Sequence, residues 1–176
     1  MIILEILKYT LPSVVVFFTA YYLLKQQNAK EIAVLSIEEE KETRQKNQEV
    51  LLPIRLQAHE RLIMFLERIH PHQLIIRLSS PSLNAFKLQT ILIKTIRDEF
   101  EHNLSQQLYV SNDSWTKLIR AKEECIKQVN VAAAKLSSDA NASELGGLVI
   151  QNFSSLNPDP IHQAIQQMKK EVQSGL

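Results

Sequence analysis

Glycine is missing from the first 145 residues, and the three in the chain are Gly146, Gly147 and Gly175. Loops that cradle phosphates need glycine for positive φ and for close approach of backbone to ligand. A P-loop, a dinucleotide-binding fingerprint and a strained nucleophile elbow are therefore excluded over most of the chain. Primed hairpin turns also lean on glycine, so an antiparallel sheet has little to turn on. Cysteine is scarcer still. Cys125 stands alone, which excludes an internal disulfide framework and any zinc site built on a cysteine pair. An excess of one charge is lacking as well: 20 basic against 19 acidic residues leave +1. No global field points to nucleic acid. Residues 53–137 carry 12 basic and 8 acidic side chains, a net of +4, without the basic–aromatic interleaving of a nucleic-acid surface.

What is present is helical material. The chain of 176 residues is 45% hydrophobic and rich in Leu, Ile, Gln, Lys and Glu, which reads as nearly all helix. That length allows one ordinary domain with appendages. Much of the apolar content lies in residues 6–24, ILKYTLPSVVVFFTAYYLL, with Lys8 as the one charge. Nineteen helical residues reach about 28 Å, close to the hydrocarbon thickness of a bilayer. Tyr9 stands near one edge and Tyr21 and Tyr22 at the other, where amphipathic rings favour the interface. Glu5 is spaced to pair with Lys8, and Pro12 sits early enough to kink a helix rather than abolish it. A cleaved signal peptide fits less well, because the run ends in Tyr-Tyr-Leu-Leu without small residues for cleavage. Lys25, Lys30, Lys41 and Arg44 follow the span while Lys8 precedes it. The positive-inside rule then puts the N-terminus outside and the remainder in the cytoplasm.

The expected architecture is all-α: a transmembrane anchor (1–24), a charged helical stalk (25–52), a cytoplasmic antiparallel bundle of three to four helices (53–137), a linker (138–157) and an amphipathic tail helix (158–176). In the stalk, EEEKETRQKNQE at 38–49 has no apolar residue, and Glu38 with Lys41 and Glu42 with Lys46 are spaced to pair. Pro53 is expected in the first turn of a new helix over 54–70, with Leu62, Phe65, Leu66 and Ile69 as its apolar stripe and Pro71 ending it. HQLIIRLSS (72–80) reads as a short buried connector or helical turn. A long helix over 83–109 is expected to turn Phe86, Ile93, Ile96, Phe100 and Leu104 to the core. After caps at Ser111–Ser114, a helix over 115–136 follows. SSDANASELGG reads as a linker because it is small, polar and glycine-containing. Asp159 and Pro160 then open a helix whose stripe is Ile161, Ile165, Met168 and Val172, which must dock, the protein's own bundle being the simplest receptor.

Chemistry is sparse. The densest polar block, EFEHNLSQQLYVSNDSW at 99–115, reads mostly as a solvated helix face and a helix end. Two E-x-x-H pairs, Glu67 with His70 and Glu99 with His102, repeat a spacing that di-iron carboxylate bundles use to converge two side chains on one metal, with Glu123 or Glu124 as a further ligand. Against this, His70 directly precedes Pro71, and Arg61, Arg68 and Arg97 are near enough in sequence to neutralise the carboxylates. His59, His72 and His162 show no ligand spacing. The expectation is therefore no catalytic residue, no cofactor and no metal, with Glu67, His70, Glu99 and His102 kept as the candidates of a di-metal carboxylate enzyme, the alternative function.

Three stretches carry a resemblance: LEILKYTLPSVVVFFTAYYLLK, LPIRLQAHERLIMFLERIHP, and LQTILIKTIRDEFEHNLSQQLYVS followed by Trp115 and AKEE. Together they resemble a family of small bacterial membrane proteins of unknown function over residues 1–135, with EFEHNLSQQLYVS the most specific part and the tail after 137 outside it. The resemblance implies an N-terminal anchor in the bacterial inner membrane and a cytoplasmic helical domain; it implies no activity. The expected function is a membrane-tethered interaction or scaffold protein. Its expected partners are the bilayer through 6–24 and a protein or a second copy of itself, with no nucleic acid and no small-molecule substrate.

Overall fold

The computed structural model describes residues 2–174, leaving aside the side chains of residues 2–14, 24, 27–37, 39, 43, 44 and 47. Among the described residues the protein is all-helical: α1 (Ile2–Ile69), α2 (Pro71–Leu78), α3 (Ala85–His102), a 3₁₀ segment (Leu104–Tyr109), α4 (Asn112–Ala133), α5 (Ala142–Ser154) and α6 (Pro160–Ser174). Contacts divide it into two units, 1–51 and 52–176.

The first unit consists of α1 up to Leu51. Its described side chains are exposed throughout, including Val15, Val16, Phe17, Phe18, Tyr21, Tyr22 and Leu23. The expected pair between Glu42 and Lys46 forms at 3.5 Å on an open surface, where such a pair contributes little. No helix among the described residues is long and apolar enough to cross a membrane. Of the expected span 6–24, the side chains of 6–14 and 24 lie outside the described residues.

The second unit is a helical bundle. Pro53 does not open a helix as expected: α1 runs through it for 68 residues. Every true start downstream has a polar cap in front of it, whereas Leu51 and Leu52 offer none. One missing N–H does not outweigh good helix formers on both sides. Asn84, Ser111 and Asn141 cap α3, α4 and α5, each side chain accepting from the backbone N–H three residues on. Pro71 sits at the start of α2, so the segment expected as a short buried connector or helical turn is an eight-residue helix whose Leu74 and Ile75 are buried.

The expected helix over 83–109 is shorter and turned about its axis. It starts after Asn84 and stops at His102, where buried Asn103 donates from Nδ2 to the Glu99 carbonyl at 2.8 Å. Its core face is Ala85, Leu88, Leu92 and Ile96. Phe86 is 73% exposed and Leu104 43%, contrary to the inward face expected of both. The i, i+4 run of leucines wins because it faces the stripe Leu118, Cys125 and Val129 of α4 without polar interruption.

The largest correction concerns the expected linker. Residues 142–154 form α5, and Leu145, Gly146, Val149 and Phe153 are buried against α2, α3 and α4. Gly146 marks close helix packing here rather than flexibility, because a Cβ on it would lie 2.9 Å from Ile75 Cγ2. Asn84 and Asn141 form an isolated antiparallel bridge, with Ala85 N–H donating to the Ala140 carbonyl at 2.9 Å and Ala142 N–H to the Leu83 carbonyl at 3.2 Å. The starts of α3 and α5 are thus tied together, and two donors that a helix start leaves open are satisfied. The last helix packs chiefly on α4 through Ile161, Ala164, Ile165 and Met168, all buried. Asp159 caps it as expected, accepting from Ile161 N–H at 2.8 Å.

Candidate functional site

The two E-x-x-H pairs do not converge. Glu67 and His102 are exposed. His70 caps α2, its Nδ1 accepting from His72 N–H at 3.3 Å, and its ring stands edge-on to Phe153 at 5.3 Å. Glu99 is held instead by cations: Arg68 donates from Nε at 2.9 Å and approaches with a terminal nitrogen at 2.6 Å, and Arg77 lies at 3.9 Å. That fork ties α1 and α2 to α3. Glu123 pairs with Lys122 at 2.7 Å and Glu124 with Lys127 at 3.2 Å. Burial works against the Glu124 carboxylate, but hydrogen bonds from Gln128 and Lys127 outweigh it and hold its carboxyl below the usual range. Among the described residues, no three potential ligands are grouped to hold a metal.

The polar block at 99–115 divides as its helix ends. Phe100 turns inward and builds an aromatic row, 6.1 Å from Phe65 and 5.6 Å from Trp115, with the Lys122 ammonium 4.2 Å above its ring. This explains why Lys122 tolerates a stripe position: its charge rests on a π-face, and Glu123 supplies the counter-ion. Cys125 lies deep in the same helix, and burial pushes its thiol far up, so it packs as a small apolar group.

The principal polar cluster was not legible from spacing. Glu171, on the last turns of α6, has a side chain only 10% exposed. Its carboxylate accepts from Ser111 N–H at 2.8 Å, from Ser111 Oγ at 2.6 Å and from Ser114 Oγ. His59 Nε2 of α1 lies 3.4 Å from the same carboxylate, and Arg55 reaches it at 3.7 Å. Burial disfavours the charge on Glu171, yet the serine hydroxyls, the Ser111 amide and the charge of His59 together outweigh it and hold the carboxyl below its usual value. Three separate stretches of chain meet on this one carboxylate.

The connectivity rules out a hydrolytic triad. There a histidine stands between serine and carboxylate so that it can take the hydroxyl proton. Here the carboxylate stands in the middle, accepting from both serines, and His59 Nδ1 is committed to the Arg55 carbonyl at 2.7 Å. The hydroxyls donate to a fixed anion whose carboxyl is held below its usual range, which makes it a weak base toward them. A trace was present in the sequence: His59 falls three positions before Leu62, and Glu171 three after Met168, each in line with a buried stripe. A polar residue at a stripe position implies a buried partner. An open groove of about 450 Å³ also lies between α4 and the α5–α6 connection, lined by Arg120, Glu124, Lys127, Leu156, Pro158 and Pro160.

Fold and site together define a small protein, all-helical among the described residues, in which the carboxylates of Glu99 and Glu171 tie helices to one another. The chain belongs to a family of unknown function (DUF7935), whose model matches residues 1–175. The match therefore includes the tail after 137, which the resemblance had left out. No curated protein and no solved structure matches the chain.

Proposed function

We propose that this protein is a membrane-anchored scaffold or accessory subunit that works by binding protein partners or further copies of itself, without catalysis. The observation that carries the reading is the run Val15–Leu23, in which seven large apolar or aromatic side chains, at every angle around the helix, are each 52–68% exposed. A helix that is apolar all round needs a core or a bilayer, and nothing in the described structure covers this one. The basic residues that follow it support an orientation with the bundle in the cytoplasm, at the inner membrane of a bacterium. On the bundle, Ile76, Phe86 and Leu108 are each at least 66% exposed. Apolar groups of that size in water supply contact area to a partner.

Cells carrying the full chain would be fractionated and the membranes washed with alkaline carbonate, next to the double variant Val16→Lys, Phe18→Lys. The wild type is expected to stay in the membrane pellet. The variant is expected in the supernatant, since each charge at mid-bilayer costs about 3 kcal/mol on insertion. A wild-type chain released by the wash overturns the anchor. Native mass spectrometry of the full chain from mild detergent tests the remainder: a multiple of the chain mass, or the chain with another protein, is expected, and a bare monomer at every concentration overturns assembly.

A further inference from the structure

The groove between α4 and the α5–α6 connection holds about 450 Å³. Arg120, Glu124 and Lys127 stand at i, i+4 and i+7 on α4 and so share one face of that helix. Glu124 is already engaged: Gln128 donates to it at 2.6 Å, and Lys127 to both of its oxygens at 3.2 Å. Lys127 and Glu124 therefore cancel, and this wall keeps the single positive charge of Arg120. The Arg120 guanidinium is exposed and makes no ion pair or hydrogen bond among the described residues, acting on Glu124 only at a distance. Gln163, in the first turn of α6, lines the other side, its side-chain amide also without a hydrogen bond among the described residues.

We propose that this groove receives an acidic side chain of a protein partner, an Asp or Glu that stands beside an apolar residue. Arg120 takes the carboxylate as a charge-assisted fork, and Gln163 adds an amide N–H. The apolar neighbour lies on Leu156, Pro158 and Pro160, which line the groove between α4 and α6. The prolines present ring carbon there and no N–H. Charge decides the class of side chain. A basic group would meet Arg120 and Lys127, while the one carboxylate that could receive it is already held. A phosphate dianion would bring two charges against one net cation and would meet Glu124 as well, so a single carboxylate is the match. The inference rests on the reading of this protein as one that binds protein partners, and it names the chemistry of one such contact.

Neither half of the contact is sufficient alone. An ion pair open to water contributes little, and a patch of one leucine and two prolines is not selective. Together they divide the work: the guanidinium chooses the residue and fixes its direction, and the apolar floor supplies area and keeps water from one side of the pair. Arg120 is exposed and engaged in no internal contact, so it can be replaced without loosening the bundle.

The probe is the blocked dipeptide acetyl-leucyl-glutamic acid amide, whose one carboxylate is the glutamate side chain. It is titrated into the full chain in mild detergent and followed by the backbone and arginine Nε–H signals in nitrogen-resolved NMR. Binding is expected at a dissociation constant of about 1 mM, the scale for so small a ligand, with shifts at Arg120, Gln163 and residues 156–160. The glutamine counterpart has the same shape and no charge, and is expected to bind about tenfold more weakly. The glutamate peptide is expected to lose about the same factor on Arg120→Gln, with Arg120→Lys, which keeps the charge and lacks the fork, in between. No shift at the groove overturns the proposal. So does equal binding of the two peptides, or equal binding by wild type and Arg120→Gln. Such a failure leaves untouched any assembly seen by native mass spectrometry, whereas a bare monomer there beside intact peptide binding strikes the wider reading and not the groove.

Discussion

Gly146 and Gly147 are adjacent in one helix, neither has positive φ, and they should respond to the same substitution in opposite directions. Alanine in place of glycine in a helix interior removes unfolded-state freedom and favours folding by about 0.8–1 kcal/mol. At Gly147 a new methyl meets nothing within 4 Å, so Gly147→Ala should keep the whole gain. At Gly146 the new methyl lies 2.9 Å from Ile75 Cγ2. That atom belongs to a β-branched side chain stiff at χ1, on a short helix that is itself packed into the core, so it has little room to swing away. Overpacking of this kind costs about 1–3 kcal/mol. Gly146→Ala should therefore lose between about 0 and 2 kcal/mol net, leaving the two variants about 1–3 kcal/mol apart. The comparison is a urea or thermal melt of each full-length variant followed by far-ultraviolet circular dichroism. A domain of this size should move its midpoint by about 3–5 °C per kcal/mol. Equal stabilisation of both variants would refute the argument that the first glycine is there for contact between α2 and α5. Absence of any gain in Gly147→Ala would refute the helix itself, since a linker in extended conformations gains nothing from the helix propensity of alanine at an open position.

Two further perturbations probe the same bundle. Met168→Ala empties a fully buried site between α6 and α4 and should cost about 2–5 kcal/mol; a loss under about 0.5 kcal/mol in the same melts would mean that α6 is not seated as described. Asn141→Ala removes the cap that accepts from Glu144 N–H at 3.0 Å and should cost about 1 kcal/mol, with Asn141→Ser recovering most of it; no recovery by serine would refute the capping role.

Much of the fold is local chemistry and could be read residue by residue. The lack of glycine before 146 and the abundance of long unbranched side chains point to helix because those terms act within a turn. Ser111 as a cap, Asp159 before Pro160, Pro71 at a boundary and the stripe Ile161–Ile165–Met168 were all legible for the same reason. Each depends on neighbours one to four positions away. The errors arose where local signals were symmetric between two outcomes. Pro53 suits a helix start and is tolerated inside a helix, and only the missing cap at Leu51 and Leu52 separates the two. The Gly146–Gly147 pair serves equally as a flexible joint or as a gap for a neighbouring helix, and only the approach of Ile75 decides. On α3, two overlapping stripes were available, and the facing surface of α4 selected the leucines over Phe86 and Leu104.

The candidate site lies further from sequence reach. Glu99 and His102 could be noticed because they are three apart, yet Glu99 takes its partners from Arg68 and Arg77 on two other helices. Glu171 meets Ser111 across 60 positions and His59 across still more of the chain, with no spacing rule to join them. What the sequence alone determined is the helical class, the starts of α4 and α6 and the apolar stretch near the N-terminus, because backbone preference, capping and hydrophobicity are properties of a residue and its near neighbours. Which polar groups share a buried space, and hence which carboxylate is an anchor and which serines serve it, was decided only by tertiary structure, because an electrostatic contact depends on distance in space and on the water excluded around it.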